Sequence, residues 1–327
     1  MIHRPPASEE DFLNLIDRHF ATAHPHMRLG RGDDCVRLAC PQDMVLSTDL
    51  FLEDVHFRRS YFSPADIGHK ALAVNISDIA GMGCRPLGFS LGLVIPDDPT
   101  LTTAFWNDLL GGMGALAHTH DIPLTGGDLS RGPYLGFSVT VWGTPGPTGR
   151  VLTRNTCRPG DAILACGPIG LARAGLFALE ELGPEAIALV PHAIRAHLRP
   201  TPRVADGLAL ADIPGVHGAM DLSDGLARDL ARLTGPGLGA DLTLTESALH
   251  PDLIAHCTRT GQPALPFAVL GGEDYALIAT AAPDSVPDIL ARIPQATRIG
   301  TVAATPGITV NGQPFDHTGF DHFATHE

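Results

Sequence analysis

A chain of 327 residues that is 44% hydrophobic and 18% charged can bury a large core, and its length favours two domains. A formal net charge of −14 excludes a nucleic-acid surface built on a basic face, and no apolar run is long enough for a membrane span. The six cysteines form no Cys-x-x-Cys pair, so separate reduced thiols of a cytoplasmic protein are expected rather than a zinc or redox site.

Ser8-Glu9-Glu10-Asp11 opens the first helix as a capping-box-like start, without the apolar centre of a signal peptide. Asp34 to Leu38 and Met44 to Phe51 read as strands joined by the turn Pro41-Gln42-Asp43. Pro64 to Met82 reads as a helix that stops at Gly81-Met82-Gly83, with Asn75 and Asp78 on one face. A strand from Leu87 to Ile95, a helix from Thr102 to Thr119 and a strand from Leu135 to Trp142 follow. The glycine- and proline-rich stretch from Gly143 to Gly149 is the best linker, which sets domains at 1–148 and 149–327. Beyond it come a strand from Asp161 to Cys166, a helix from Gly170 to Leu182, and an extended joint at Arg199-Pro200-Thr201-Pro202-Arg203. A strand end near Ala219 leads into the helix beginning at Leu226. This alternation of strands and helices indicates an α/β or α+β class with two layered domains.

Oxygen-rich breaks interrupt the apolar segments in both halves. They are Gly32-Asp33-Asp34, Ser47-Thr48-Asp49, Asn75-Ile76-Ser77-Asp78, Gly126-Gly127-Asp128, Asp221-Leu222-Ser223-Asp224 and Gly271-Gly272-Glu273-Asp274. Each has a plain reading: adjacent aspartates form turns, Ser223 or Asp224 caps a helix, and glycine pairs make loops. Asp221 is not needed for capping, and Gly126-Gly127-Asp128 with Arg131 reads as a flexible loop whose N–H groups can approach an anion. The recurrence is what argues for function. Carboxylates gathered in partly buried positions repel one another unless cations neutralise them, and aspartate and serine oxygens suit Mg²⁺ with its phosphate ligands. The reading is Mg²⁺-dependent nucleotide phosphate chemistry. A P-loop is excluded, since no Gly-x-x-x-x-Gly-Lys-Ser/Thr occurs, and Gly167-x-x-Gly170 lacks dinucleotide spacing.

Taken in order, these segments resemble the thiamine-monophosphate kinases, within the superfamily that includes aminoimidazole ribonucleotide synthetase. Also matching are Val55-His56-Phe57, the run from Lys70 to Asp78, Gly81-Met82-Gly83, Leu198 to Arg203, Gly225-Leu226, Tyr275, and Gly319-Phe320-Asp321-His322-Phe323. The resemblance implies ATP-dependent phosphorylation of thiamine monophosphate to thiamine diphosphate by direct transfer. It implies a homodimer whose N-terminal sheets join into a β-barrel flanked by helices, a C-terminal α/β sandwich, and sites between the two domains. By position, Asp34, Ser47, Thr48, Asp49, Asp78, Asp128, Asp221 and Asp224 would hold Mg²⁺. Gly127, Asp128, Arg154 and Ser223 would meet ATP, while His56, Glu273 and Phe320 would meet the thiamine end. Asp49, Asp128, Asp221 and Arg154 would carry the transfer. The sequence departs from the family pattern at Leu129, where a hydroxyl residue is common, at Asp54, often glycine, and at Ala276, often acidic. A cyclo-ligase-like enzyme of the same superfamily and a non-catalytic nucleotide or Mg²⁺ sensor stay open as alternatives.

Overall fold

A computed structural model describes residues 4–31 and 35–316. The chain divides into one unit of Met1–Ile79 with Arg85–Pro145, and a second of Ala80–Cys84 with Gly146–Glu327.

In the first unit, α1 (Glu9–His19) starts at Ser8, whose hydroxyl accepts the Asp11 N–H at 3.2 Å, and three acidic residues fill its first turn. Then come β1 (Met27–Leu29), β2 (Arg37–Leu38), β3 (Val45–Leu52), α2 (Pro64–Gly81), β4 (Cys84–Ile95), α3 (Thr103–Thr119), β5 (Leu124–Arg131) and β6 (Gly136–Pro145). β1 and β2 form a small ribbon; the others form an open sheet in the order β3-β6-β4-β5. Phe12 of α1 meets Trp106 of α3 edge-on, with ring centroids 4.7 Å apart, which docks the first helix. Phe51, Phe57, Phe62 and Phe137 pack together at the end of β3.

Gly126-Gly127-Asp128 is strand, not flexible loop: Gly126, Gly127 and Asp128 pair in parallel with Ser90, Leu91 and Gly92. Glycine suits that place because a Cβ on Gly127 would lie 1.8 Å from the Leu91 carbonyl oxygen. The linker also begins later than its composition suggests, since β6 runs through Pro145 and pairs Gly143 with Val45.

The turn beyond β3 places Asp54 at φ +63°, a backbone region glycine enters at little cost. Asp54→Gly is expected to stabilise the chain by about 0.5 kcal/mol, visible as a higher thermal midpoint. A lower midpoint would count against local strain at this residue.

The second unit contains β7 (Ala162–Cys166), α4 (Leu171–Leu182), α5 (Pro191–Leu198), α6 (Val204–Ala211), β8 (Val216–Asp221), α7 (Leu226–Thr234) and β9 (Gly239–Leu242). α8 (Pro251–Thr260), α9 (Ala264–Val269), β10 (Leu277–Ala281), α10 (Val286–Arg292), β11 (Ala296–Ala303), β12 (Gly307–Val310) and β13 (Gln313–Pro314) complete it. Its seven strands run β13-β12-β9-β11-β7-β10-β8. Neighbours are antiparallel except β9 with β12. β7 and β10 are buried at every position, and β7 accordingly reads as an unbroken apolar run while β10 carries only Thr280 as a polar residue. One core gathers Leu164, Leu210, Ile213, Ala219, Leu277, Ile289 and Ile293, joining α6 and α10 to the sheet. The fold is mixed α/β, with helices layered on two sheets. No helix among the described residues is long and apolar enough to cross a membrane.

Candidate active site

β3 alternates. Ser47 and Asp49 point to one face, while Leu46, Thr48 and Leu50 are exposed on the other. On the first face the strand meets the polar edge of α2: the Ser47 hydroxyl donates to Asp78 Oδ2 at 2.5 Å, and the Asp49 N–H donates to Asn75 Oδ1 at 3.1 Å. Asn75 is fully buried and anchored by its amide to the Ala71 carbonyl at 3.0 Å, so this corner is rigid. Ser47, Asp49, Asn75 and Asp78 therefore converge. Thr48 does not join them, because its hydroxyl pairs with that of Thr140 at 2.8 Å.

Asp128 sits on β5, at the far edge of the same sheet from β3, about 14 Å away at the usual strand spacing. It is exposed and accepts the Ser130 hydroxyl at 2.9 Å. A hydroxyl thus stands beside Asp128 even though Leu129 occupies the next position. His56 follows β3, with Nδ1 accepting the Leu52 N–H at 3.0 Å and its ring stacked on Phe51. Asp34 and Phe320 lie outside the described residues.

In the second unit, β8 ends at the buried Asp221 and the chain turns through Leu222-Ser223-Asp224 into α7. Neither Ser223 nor Asp224 caps this helix; Gly225 stands at the cap without a side-chain bond. The turn is organised from inside the helix. Asp229, with no solvent exposure, takes the N–H groups of Ser223 (3.0 Å) and Asp224 (2.9 Å) on Oδ2, and Arg232 on Oδ1 at 3.0 Å. Burial pushes the Asp229 carboxyl up to about 6, against the pull of those N–H groups and of Arg232. Arg232 also reaches Asp224 at 2.5 Å, with Arg228 at 3.8 Å. Arg154 is exposed on a turn whose Asn155 N–H donates to Leu233 O at 2.9 Å. That anchor is in the last turn of α7, about one nine-residue helix length, ~13 Å, from the Ser223 end.

The glycine pair Gly271-Gly272 approaches the chain's own backbone: a Cβ on Gly271 would lie 2.5 Å from Gly170 Cα, and one on Gly272 2.8 Å from Ser223 O. The acids beyond it divide their work. Asp274 is buried, accepts the N–H groups of Gly170 and Ala172, and so fills the N-terminus of α4 with the chain's own carboxylate. Burial drives its carboxyl up to about 7, against those backbone donors. Glu273 is partly exposed and meets His197 Nδ1 through Oε2 at 3.1 Å.

Asp229, Arg232 and His197 were not among the expected site residues. Asp229 had a readable signal: it falls on the Leu226-Leu230-Leu233 stripe, where an apolar residue belongs. One further cluster, His192, His250 and Asp252, has ligand atoms within 4.8 Å of one another. Its atoms are engaged by backbone: Asp252 Oδ2 accepts the His192 N–H at 2.7 Å at the start of α5, and His250 Nδ1 accepts the Asp252 N–H at 3.1 Å at the start of α8.

Residues 32–144 match the family described as AIR synthase related protein, N-terminal domain, and residues 158–313 the AIR synthase related protein, C-terminal domain. A thiamine-monophosphate kinase of Salmonella typhimurium is 38% identical over 333 residues, covering 96% of this chain and 98% of that protein. One of Synechococcus elongatus is 35% identical, covering 90% and 92%. The crystal structure of thiamine-monophosphate kinase from Stenotrophomonas maltophilia K279a has a TM-score of 0.79 at 32% identity and covers 93% of this chain and 96% of that one. A structure of AaThiL complexed with AMPPCP and TMP has a TM-score of 0.75 at 27% identity, covering 96% and 97%. With both domains matched and such likeness sustained along nearly its whole length, the chain belongs to the thiamine-monophosphate kinase family of AIR synthase related proteins.

Proposed function

We propose that this chain phosphorylates thiamine monophosphate to thiamine diphosphate with ATP, by direct in-line transfer that depends on Mg²⁺. The observation that carries the reading is the 38% identity to a thiamine-monophosphate kinase over 96% of the chain. The convergence of Ser47, Asp49 and Asp78 supports it chemically.

The acceptor is a phosphate monoester oxygen, already ionised near neutral pH, so no strong base is required. The barrier is electrostatic. Two unit charges ~4 Å apart interact by ~4 kcal/mol at an effective dielectric of ~20. Bound Mg²⁺ supplies the screening and alignment that two anionic reactants need. The donor sets fit this ion, being hard oxygens without thiols. In the first unit Ser47, Asp49 and Asp78 would hold one ion, with Asp34 as a further oxygen donor, while the exposed Asp128, on the opposite edge of the sheet, would serve a separate ion. In the second, Asp221 and Asp224 would do so, Asp224 by leaving Arg232. Thr48 is left out of this set, since its side chain lies on the other strand face. Gly127, Asp128, Arg154 and Ser223 meet the nucleotide, with Arg154 balancing phosphate charge. His56, Glu273 and Phe320 meet the thiamine end, whose cationic ring suits an aromatic face and a carboxylate.

The reading extends to the assembly. Residues 1–148 serve nucleotide binding and dimerisation, and residues 149–327 complete the donor and substrate contacts. Leu46 and Leu50, 60% and 57% exposed on edge strand β3, support a second copy joining there to close a barrel. Free cysteines, two of them exposed, accord with a cytoplasmic location.

The test is a panel assay on the purified chain with ATP and Mg²⁺. Thiamine monophosphate, free thiamine and a ribonucleotide amidine serve as acceptors, with ADP and thiamine diphosphate quantified. Thiamine diphosphate formation from the monophosphate alone is expected; ADP release only with the amidine would replace the reading with a cyclo-ligase.

A further inference from the structure

The loop after α9 holds two non-glycine residues in the left-handed region within three positions, Glu273 at φ +64° and Tyr275 at φ +49°. Such conformations are strained and persist only where their surroundings hold them. Here the Glu273 N–H donates to Ser223 O at 2.7 Å, and the Tyr275 N–H to Leu222 O at 2.9 Å. These bonds fix the backbone and with it the direction in which the Glu273 side chain departs.

A glutamate still has three side-chain torsions, and ordering them on ligand binding costs conformational entropy. In the structure His197 supplies that order. It lies in the last turn of α5 with 1% exposure, and its Nδ1 is 3.1 Å from Glu273 Oε2, while the glutamate side chain is 26% exposed. A buried ring on a helix is stiff, so it presets the carboxylate before any ligand arrives.

We propose that His197 is a positioning residue that holds the Glu273 carboxylate in the orientation that receives the cationic end of thiamine monophosphate. The inference rests on the reading of Glu273 as a substrate contact. His197 acts through Glu273, so the effect of its removal is expected on the thiamine ligand and not on the nucleotide.

The experiment is calorimetric titration of the full chain with thiamine monophosphate and, separately, with AMPPCP and Mg²⁺. His197→Ala is expected to raise the Kd for thiamine monophosphate about tenfold and to leave that for the nucleotide unchanged. His197→Asn keeps an N–H near the Nδ1 position and is expected to return within about threefold of the parent chain. On a Glu273→Gln background, His197→Ala should add nothing. Where the alanine chain does not fold, His197→Gln, whose amide reaches toward the Nε2 position, is expected to bind as poorly as alanine would. Equal weakening of both ligands, or no weakening of either, overturns the positioning role. If Glu273→Gln weakens thiamine monophosphate and His197→Ala does not, only the His197 inference falls. If Glu273→Gln changes nothing, the assignment of Glu273 to the substrate falls, and the inference with it.

Discussion

Asp49→Asn and Asp221→Asn are each expected to lower kcat by about a thousandfold, with unfolding midpoints close to that of the parent chain. The magnitude follows from the proposal that each carboxylate would hold a divalent ion between anions: ~4 kcal/mol of lost stabilisation corresponds to about a thousandfold in rate. The fold should survive for local reasons. The bond from the Asp49 backbone N–H to Asn75 is independent of the Asp49 side chain, and Asp221 ends a strand paired in register with Leu277. Asparagine preserves shape at both positions. The measurement is steady-state kcat at saturating ATP and thiamine monophosphate across a Mg²⁺ titration, alongside thermal unfolding. Parental turnover at low millimolar Mg²⁺ in either variant would remove these carboxylates from the ion site.

Asp229→Ala should destabilise the second unit by about 2–4 kcal/mol, measured as a shift in urea midpoint. Its carboxylate takes two backbone N–H groups and Arg232, so truncation strands two buried donors around a small void and leaves Arg232 with Asp224 as its carboxylate partner. Asp229→Asn keeps one acceptor oxygen and should lose less. The charge has its own pH signature. The folded carboxyl, raised to about 6, binds its proton more tightly than the unfolded one near 3.8. Its contribution therefore favours folding most below about pH 4 and is lost as pH rises through about 6. The alanine chain should lack that component of the pH dependence. A urea midpoint within ~0.5 kcal/mol of the parent would mean that the turn into α7 does not depend on Asp229.

The elements that periodicity defines well were legible from the sequence. The capped start of α1 at Ser8, the long helix from Pro64 and the buried strand from Ala162 all stand where apolar spacing and glycine stops place them. β5 was not legible, because Gly126-Gly127-Asp128 carries turn-forming residues and its strand identity comes only from pairing with β4. The site was partly legible. Ser47, Asp49 and Asp78 are brought together by an alternating strand against a helix edge, which residue types alone suggested. Thr48, expected to hold Mg²⁺ beside them, is turned to the other face by that same alternation, which the residue types did not convey. What local sequence could not convey is which acid serves the fold: Asp274 and Glu273 are adjacent, yet one fills a helix terminus and the other is presented beside His197. Charged residues inside apolar stripes were the overlooked signal. Lys70 sits between Ile67 and Ala71, and Asp229 beside Leu230, all of them buried.

The most direct measurement follows ATP labelled at the γ-phosphate through a single turnover with thiamine monophosphate, with Mg²⁺ present or removed by chelation. The account predicts label in thiamine diphosphate with Mg²⁺, no labelled protein along the way, and no transfer without the ion. Label that never reaches thiamine diphosphate, or reaches it at the same rate under chelation, would contradict it.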